Sequence, residues 1–433
     1  MKKIIASILL ITLLISSIGC NTVKQPIQQP TTTEEPVVTN EPVETQKPEI
    51  GSTQEAYAGL YYEDFIDYLD KKFDNENYIA SATSLRAALC LAIAGAEEDT
   101  LNELLKGAGF NSKEEDENWY NQILNQVKEF NNDIEIENKM INLNDETENQ
   151  KSERAFEIVN SIWNNETISQ GFKEEYINYV KEKFNSEANS DTADKLVKEI
   201  NDWCNEKTRG MIPNIIDNVD DITAILVNAL YLRTTWANTF NENATHEDEF
   251  TCKDGSKVTK EFIEQFDEKY HYYSDKDTQL VILPMQGNIS FVCVIGDITD
   301  LNNKILTAIS DIEHIHLIIP KLDIESTFNN EMVEFLKLRG VNKSFTGEAN
   351  FNSMCKSEDW FISKIIQKAK IKSDEDGLEA AAVTAIMMET TAFFEAEEYK
   401  IINFTANEPF SFFIYSGLLT GEPEMLFCGH VVK

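Results

Sequence analysis

The chain has 433 residues, with 38 Lys and Arg against 75 Asp and Glu, a formal net charge of −37. That charge excludes nucleic acid as a ready partner, because phosphate binding needs a basic face and the release of counterions, and it disfavours an anionic membrane surface in the same way. With 42% hydrophobic and 10% aromatic residues the chain buries a large core, which excludes global disorder and leaves room for one large domain or two ordinary ones.

In chain order, Met1-Lys2-Lys3 precede an apolar run over 4–14 and a stretch ending Ser16-Ser17-Ile18-Gly19-Cys20. A charged start, an apolar stretch too short to span a bilayer and a small-residue site predict a signal peptide over 1–20. The Gly19-Cys20 pair resembles the lipobox of bacterial lipoproteins, although Ser17 stands where Leu is commoner. The resemblance implies a lipid on Cys20 and a protein held on the outer face of a bacterial membrane; plain secretion is the alternative. Firm anchoring takes more than one acyl chain, since each buried CH₂ contributes roughly 0.8 kcal/mol. Over 21–55, Pro26, Pro30, Pro36, Pro42 and Pro48 stand among Thr, Gln and Glu. Too little apolar surface is present there to offset chain entropy, so the segment is expected to be a tether ahead of a folded part over 56–433.

Within the folded part, Leu196, Ile200, Trp203 and Cys204 recur at helical spacing and predict a surface helix over 195–207 with one apolar stripe. Residues 224–232 are apolar on both period-2 faces and predict a central strand covered on both sides. Residues 280–284 and 289–294 predict a hairpin around Gln286-Gly287-Asn288, and 410–414 with 425–432 a second across Gly421-Glu422-Pro423. Further strands are expected at 361–371 and 400–404. Helices come mostly first and strands mostly later, which predicts an α+β fold. Six cysteines remain after Cys20, two of them, Cys90 and Cys293, inside apolar segments; no CxxC or regular spacing points to a metal, and a disulfide stays open.

The residues for catalysis are sparse. There are five histidines and no HExxH, GxSxG, P-loop or GxGxxG pattern, so no enzyme and no cofactor are expected. His314 and His316 share one face of a predicted strand, but no third ligand accompanies them, so no metal is expected either. The unusual segment is 373–385, Ser-Asp-Glu-Asp-Gly-Leu-Glu-Ala-Ala-Ala-Val-Thr-Ala. Propensity alone favours a helix there, yet the run lies between two predicted strands, where small side chains let a segment enter a sheet without crowding either face.

That stretch resembles the reactive-centre-loop hinge of serpins, and the resemblance extends over the folded part. Asn160-Ser161-Ile162-Trp163, 198–203 with 207–212, and 226–231 through Trp236 look like serpin signatures in family order. Leu283-Pro284, Ile319-Pro320-Lys321-Leu322, Glu325-Ser326-Thr327, Pro409-Phe410 and 426–431 continue the series. The resemblance implies a serpin fold, with three β-sheets, about eight or nine helices and an exposed loop. It also implies a suicide inhibitor of serine proteases that acts as a monomer, with a noninhibitory binding protein on the same fold as the alternative.

Residue by residue, the resemblance assigns the hinge to Glu375, Gly377, Leu378, Glu379, Ala380, Ala381, Ala382, Val383 and Thr384. It pairs Glu375 with Lys321, close to Trp236, and expects Gly377 to permit a turn. Leu378 departs from the usual Thr or Ser, and as an apolar residue it can be buried without an unsatisfied hydroxyl. Ser81, Ser84, Asn201 and Gln367 align with the positions where the main sheet opens; Gln367 replaces a commoner His and removes any titration near neutral pH. Counting from Gly377 places the attacked bond at Thr391–Ala392, whereas counting back from Pro409-Phe410 places it nearer Ala396. Thirteen steps from Leu378 to Thr391 at about 3.3 Å give roughly 43 Å, as long as a large sheet allows. The extra residues are therefore expected in 393–399, with Phe393 and Phe394 the second choice. Thr391 favours elastase-like or subtilisin-like proteases, and a Phe would favour chymotrypsin-like ones.

Overall fold

The computed structural model describes residues 53–143, 154–219, 222–357, 360–378 and 399–433; the side chains of 53–60 and 140–143 are outside the description. The chain divides into two units, 1–50 and 51–433. The expected signal peptide, Cys20 and nearly all of the expected tether lie outside the described residues.

The first half carries α1 (Thr53–Lys72), β1 (Tyr78–Ala80), α2 (Ala82–Gly95), α3 (Glu98–Ala108), α4 (Lys113–Leu143), β2 (Ala155–Asn165), α5 (Glu174–Phe184), β3 (Glu187–Asp191), α6 (Ala193–Lys207) and β4 (Ala224–Thr235). Then come β5 (His246–Thr251), β6 (Lys257–Ser274), β7 (Thr278–Met285), β8 (Ile289–Gly296), α7 (Leu301–Ile309), β9 (Ile312–Pro320), β10 (Asp323–Phe328) and α8 (Glu331–Leu338). The last are β11 (Lys364–Lys372), β12 (Gly377–Leu378), β13 (Ile401–Thr405), β14 (Phe410–Ser416) and β15 (Glu424–Val431). The helices-first, strands-later order is therefore α+β, with eight α-helices among the described residues.

A six-stranded sheet runs β10-β11-β4-β2-β3, with β12 added on β4, and a nine-stranded sheet runs β1-β15-β14-β8-β7-β6-β9-β13, with β5 on β6. Two hydrogen-bonded ladders thus carry the three expected strand sets. The reason is β6: its 18 residues pair with β5 and β9 over most of their length and with β7 at the far end, so one strand joins two sets that each have their own packing face.

Both predicted hairpins form, as β7–β8 and β14–β15. In α6 the buried residues are Leu196, Ile200, Trp203 and Cys204, the stripe read from the sequence. That stripe packs with Ile212, Ile215, Ile216 and Val219 on Ile225, Val227 and Ala229 of β4 and Ile366 of β11. The other face of β4, with Leu226, Leu230 and Leu232, joins the main core. Two covers explain the unbroken apolar run, since a strand buried on both faces has no polar side to alternate with. α2 is the central helix: all but one of its residues are buried, and Ser81 caps it by accepting from the Ser84 backbone N–H at 3.0 Å.

The cysteines Cys90, Cys204, Cys252, Cys293, Cys355 and Cys428 are free and buried. His314 and His316 do share a face of β9, but each meets one carboxylate, Asp267 at 2.7 Å and Glu264 at 2.6 Å. No cluster of three or more metal-ligating side chains occurs among the described residues, and no described helix is long and apolar enough to cross a membrane.

Candidate functional site

The site begins as a split in the six-stranded sheet. β4 and β11 run parallel but pair only from Ile225 and Lys364 to Asn228 and Gln367. Beyond that row β11 continues against β10 as far as Lys372, and β4 continues against β2 as far as Arg233. Each strand keeps its outer neighbour while their shared edge separates. Backbone groups along such an edge are ready to pair with another strand.

The top of the split holds the first residues of the expected hinge. After β11 the chain turns at 374–376, and β12 runs back antiparallel to β4, with Gly377 opposite Thr235 and Leu378 opposite Thr234. Leu378 also bridges to Ser373 and is only 3% exposed, beside Ile79, Leu232, Ile371 and Phe427. The apolar residue that departs from the usual Thr or Ser is thus seated in a greasy cleft, where a hydroxyl would need a partner.

The turn is built by Asp374, whose carboxylate accepts from the N–H of Asp376 at 2.9 Å and of Gly377 at 3.1 Å. This is an Asx-type turn, stabilised by a local side-chain bond. Trp236 holds it from the side: its indole N–H donates to the Asp374 carbonyl and its backbone N–H to the Asp376 carbonyl, both at 2.9 Å. The structure changes the reason for Gly377. Its φ lies outside the left-handed region; what demands glycine is close approach, since a Cβ there would stand 2.2 Å from the Thr234 carbonyl oxygen.

Glu375 and Lys321 meet at 2.9 Å, and the Thr245 hydroxyl donates to the same carboxylate. Burial by itself would raise the Glu375 carboxyl, but the Thr245 hydroxyl and the Lys321 ammonium outweigh it and hold the group below the usual carboxylate range. For Lys321, burial pulls downward and the bond to Glu375 overcomes it, so its pKa is raised. Asp376 is pushed upward by burial and by the neighbouring Asp374, Glu242 and Glu375.

Below the turn, where the split closes, stands a row of buried amides. Asn160 of β2 is opposite Asn228 of β4, and Asn228 is level with Gln367 of β11. Gln367 is fully used: it accepts from the Ser81 N–H at 2.9 Å and donates to the Ser81 carbonyl at 2.8 Å. The Ser81 hydroxyl donates to the Leu426 carbonyl at 2.6 Å. Asn228 is the reverse case, with zero exposure and no hydrogen-bond partner for either amide atom. The Ser84 hydroxyl is likewise unpartnered. Buried polar groups without partners cost about 1–3 kcal/mol each.

Of the residues singled out in the sequence, Ser81, Ser84 and Gln367 come together here, and Glu375, Gly377, Leu378, Lys321 and Trp236 come together at the turn. Asn201 joins neither group: it lies on α6, accepts from the N–H groups of Ile215 and Ile216 and donates to the Ile216 carbonyl, pinning 215–216 to the helix. Glu379, Ala380, Ala381, Ala382, Val383, Thr384, Thr391, Ala392, Phe393 and Phe394 lie outside the described residues. Sequence reasoning missed Asn228, Asp374 and Thr245. Only Asn228 carried a visible signal, as the lone amide in the apolar run 224–232.

The site is thus a strand pair split above a buried amide row, with Gly377 and Leu378 paired to β4 at its head. The family model for serpins (serine protease inhibitors) matches residues 64–433, and the chain belongs to that family. Serpin B10 of Papio anubis is 26% identical over 371 residues, covering 80% of this chain and 91% of its own length. Among solved structures, Serpin48, a highly specific serpin of the insect Tenebrio molitor, matches with a TM-score of 0.70 at 22% identity, over 91% of this chain and 100% of its own. Thyroxine-binding globulin complexed with thyroxine matches with a TM-score of 0.69 at 19% identity, over 88% and 98%. Serpins are in general inhibitors of serine proteases rather than enzymes, and some are noninhibitory.

Proposed function

We propose that this chain is a suicide-substrate inhibitor of serine proteases, attacked at Thr391–Ala392. The protease serine adds to the Thr391 carbonyl, the bond to Ala392 breaks with its nitrogen leaving protonated, and Thr391 stays esterified to the protease. The freed segment then enters the split as a strand between β4 and β11 and carries the protease along, before water can release it.

The observation that carries this reading is the register of β12. Continued from Gly377–Thr235 and Leu378–Thr234, an entering strand puts Ala380 level with Leu232, Ala382 with Leu230 and Thr384 with Asn228. These even positions share the face of β4 that lines the main core, where two alanines crowd nothing. Continued from the Ser373–Leu378 bridge, the same strand puts Thr384 level with Gln367, so the registers on the two sides agree. Thr384 then brings a hydroxyl to the unpartnered Asn228 amide. Met388 falls level with Ala224, where β4 begins, and Thr391 stands three residues beyond it. β4 is 12 residues, about 40 Å, close to the length expected for the inserting segment. Phe393 and Phe394 would leave a longer slack lead to the protease, which favours Thr391 and proteases with small or shallow specificity pockets.

Incubation with elastase-like, subtilisin-like and chymotrypsin-like enzymes tests this. The expected product is a band of summed mass that survives boiling in detergent, together with a released fragment whose mass starts it at Ala392. Cutting by every enzyme without such a band rules out inhibition, and a fragment starting after Phe394 rules out the assigned bond. We also assign Cys20 as a lipidated first residue on a bacterial surface, with 21–55 as tether, on the resemblance of Gly19-Cys20 to a lipobox; mass spectrometry of the mature N-terminus checks it by the added acyl mass.

A further inference from the structure

The loop's far end is held as deliberately as its hinge, by residues that none of the above assigns. β6 has a bulge where its register against β9 slips between Gln265 and Glu268. Asp267, inside the bulge, is in the left-handed region at φ 63°, a strained conformation for a residue with a Cβ. Bulges re-aim side chains, and this one aims a carboxylate at two groups at once. One oxygen meets His314 Nδ1 at 2.7 Å and the other accepts from the Tyr399 hydroxyl at 2.6 Å. The rings of His314 and Tyr399 stack, with centroids 3.7 Å apart and planes 20° apart. Asp267, His314 and Tyr399 therefore form a closed triangle in which each member touches the other two.

Its position gives the triangle a consequence. Tyr399 is two residues before β13, an edge strand of five residues whose one described partner strand is β9, and His314 is the residue of β9 opposite Ile401. The segment between Leu378 and Tyr399 is tied at one end to β4 and at the other to this triangle. If the loop entered the split uncut, it would have to draw chain from beyond Tyr399 and peel β13 from β9. An edge strand this short gives little resistance by itself, with a handful of backbone bonds each of modest net worth.

We infer that Asp267 is a positioning residue that, through Tyr399 and His314, locks the C-terminal end of the reactive loop, so that strand entry waits for cleavage. This role rests on the insertion reading above, whereas the lock itself does not. The depressed carboxyl of Asp267, whose first cause is the Tyr399 bond, agrees with a carboxylate in constant use.

The test is amide hydrogen exchange over β13 in the intact, uncut protein, with β14 as internal reference. Tyr399→Ala removes both bond and stack, and Asp267→Ala removes the carboxylate; each is expected to speed exchange at 401–405 about tenfold relative to β14. Tyr399→Phe keeps the stack and should fall between. Asp267→Asn keeps an acceptor for Tyr399 and tolerates the backbone conformation, so it should restore most of the protection. In parallel, the variants with the lock broken should lose protease-cleavable loop on standing about tenfold faster than the wild type, with no chain cut. Wild-type exchange in both alanine variants overturns the inference whatever the loop does. Faster exchange with the loop still fully cleavable upholds the lock and overturns its role in holding back entry of the uncut loop, while insertion after cleavage is read separately from the detergent-stable band.

Discussion

The two halves of the seam between β4 and β11 are made of similar strands and behave differently. In the lower half the strands pair from Ile225 to Asn228, the α6 segment covers one face with an apolar cluster, and Gln367 ties β11 to Ser81 by two bonds. In the upper half the strands keep only their outer neighbours, and the space between them holds Leu378. The boundary falls at Asn228, the one member of the row with nothing to bond. The difference teaches that the split is not simply a defect of pairing propensity, since β4 stays apolar over 229–232, directly above Asn228, as it is over 224–227 below. What separates the halves is what holds each: backbone pairing, the Gln367–Ser81 bonds and a cover below, a docked turn above.

The comparison is broken most completely by filling the upper half. After cleavage of the loop, the inserted strand adds hydrogen bonds on both of its edges, on the order of 10 kcal/mol in sum. The midpoint of thermal unfolding should rise by upwards of about 10 °C, read by calorimetry on nicked against intact protein. An unchanged midpoint means the seam stays split.

Preventing the filling should have the next largest effect. Ala382→Arg places a guanidinium level with Leu230 on the core-facing side, at a cost of several kcal/mol without a partner. The variant should be cut by the same protease at the same bond but form no detergent-stable complex. Retention of wild-type stoichiometry would show that Ala382 is not buried by insertion.

The row at the boundary sharpens the contrast in opposite directions. Gln367→Ala leaves the Ser81 N–H buried and unpaired, while the Ser81 carbonyl keeps the Leu85 N–H at 3.2 Å, and should lower the stability of the intact chain by about 1–3 kcal/mol. Asn228→Ala removes an amide that has no partner, and should leave the intact chain equal or more stable by about 1 kcal/mol while reducing the gain on cleavage. Denaturant unfolding of intact and nicked forms separates the two. Equal losses in both variants would mean that Asn228 is bonded in the intact protein.

The smallest effect concerns the turn above. Because the folded-state pKa of Glu375 is lowered, its contribution is fully present above its ordinary carboxylate range and disappears as pH falls through the folded value. Glu375→Gln should remove that pH dependence and loosen the hinge by about 1 kcal/mol, the modest worth of a partly exposed ion pair. Faster exchange at the Trp236 and Phe240 amides, which bond to the Asp376 and Glu375 carbonyls, would register the loosening; identical pH profiles in both proteins would remove Glu375 from the hinge.

Much of this was legible in the chain before any fold was known, and the legible parts share a cause. The α6 stripe, the doubly covered β4 and both hairpins are periodic or turn signals, set by side-chain direction along a helix or strand. Lys321, Glu375 and Gln367 became candidates only through family resemblance, since no local pattern links residues so far apart. Asn201 shows the limit of alignment, for it caps the chain around Ile216 instead of joining Ser81 and Gln367.

By itself, then, the sequence determined which segments are apolar on one face or two, where turns fall, and that a run of small residues begins at Ala380, shortly after Gly377. Tertiary structure alone decided that β4 and β11 part above Asn228, that Gly377 is needed for close approach to Thr234, and that Asp267 reaches both His314 and Tyr399. These depend on distances between strands remote in sequence. A repeating pattern records which way a side chain points, but only the assembled sheet decides what it meets.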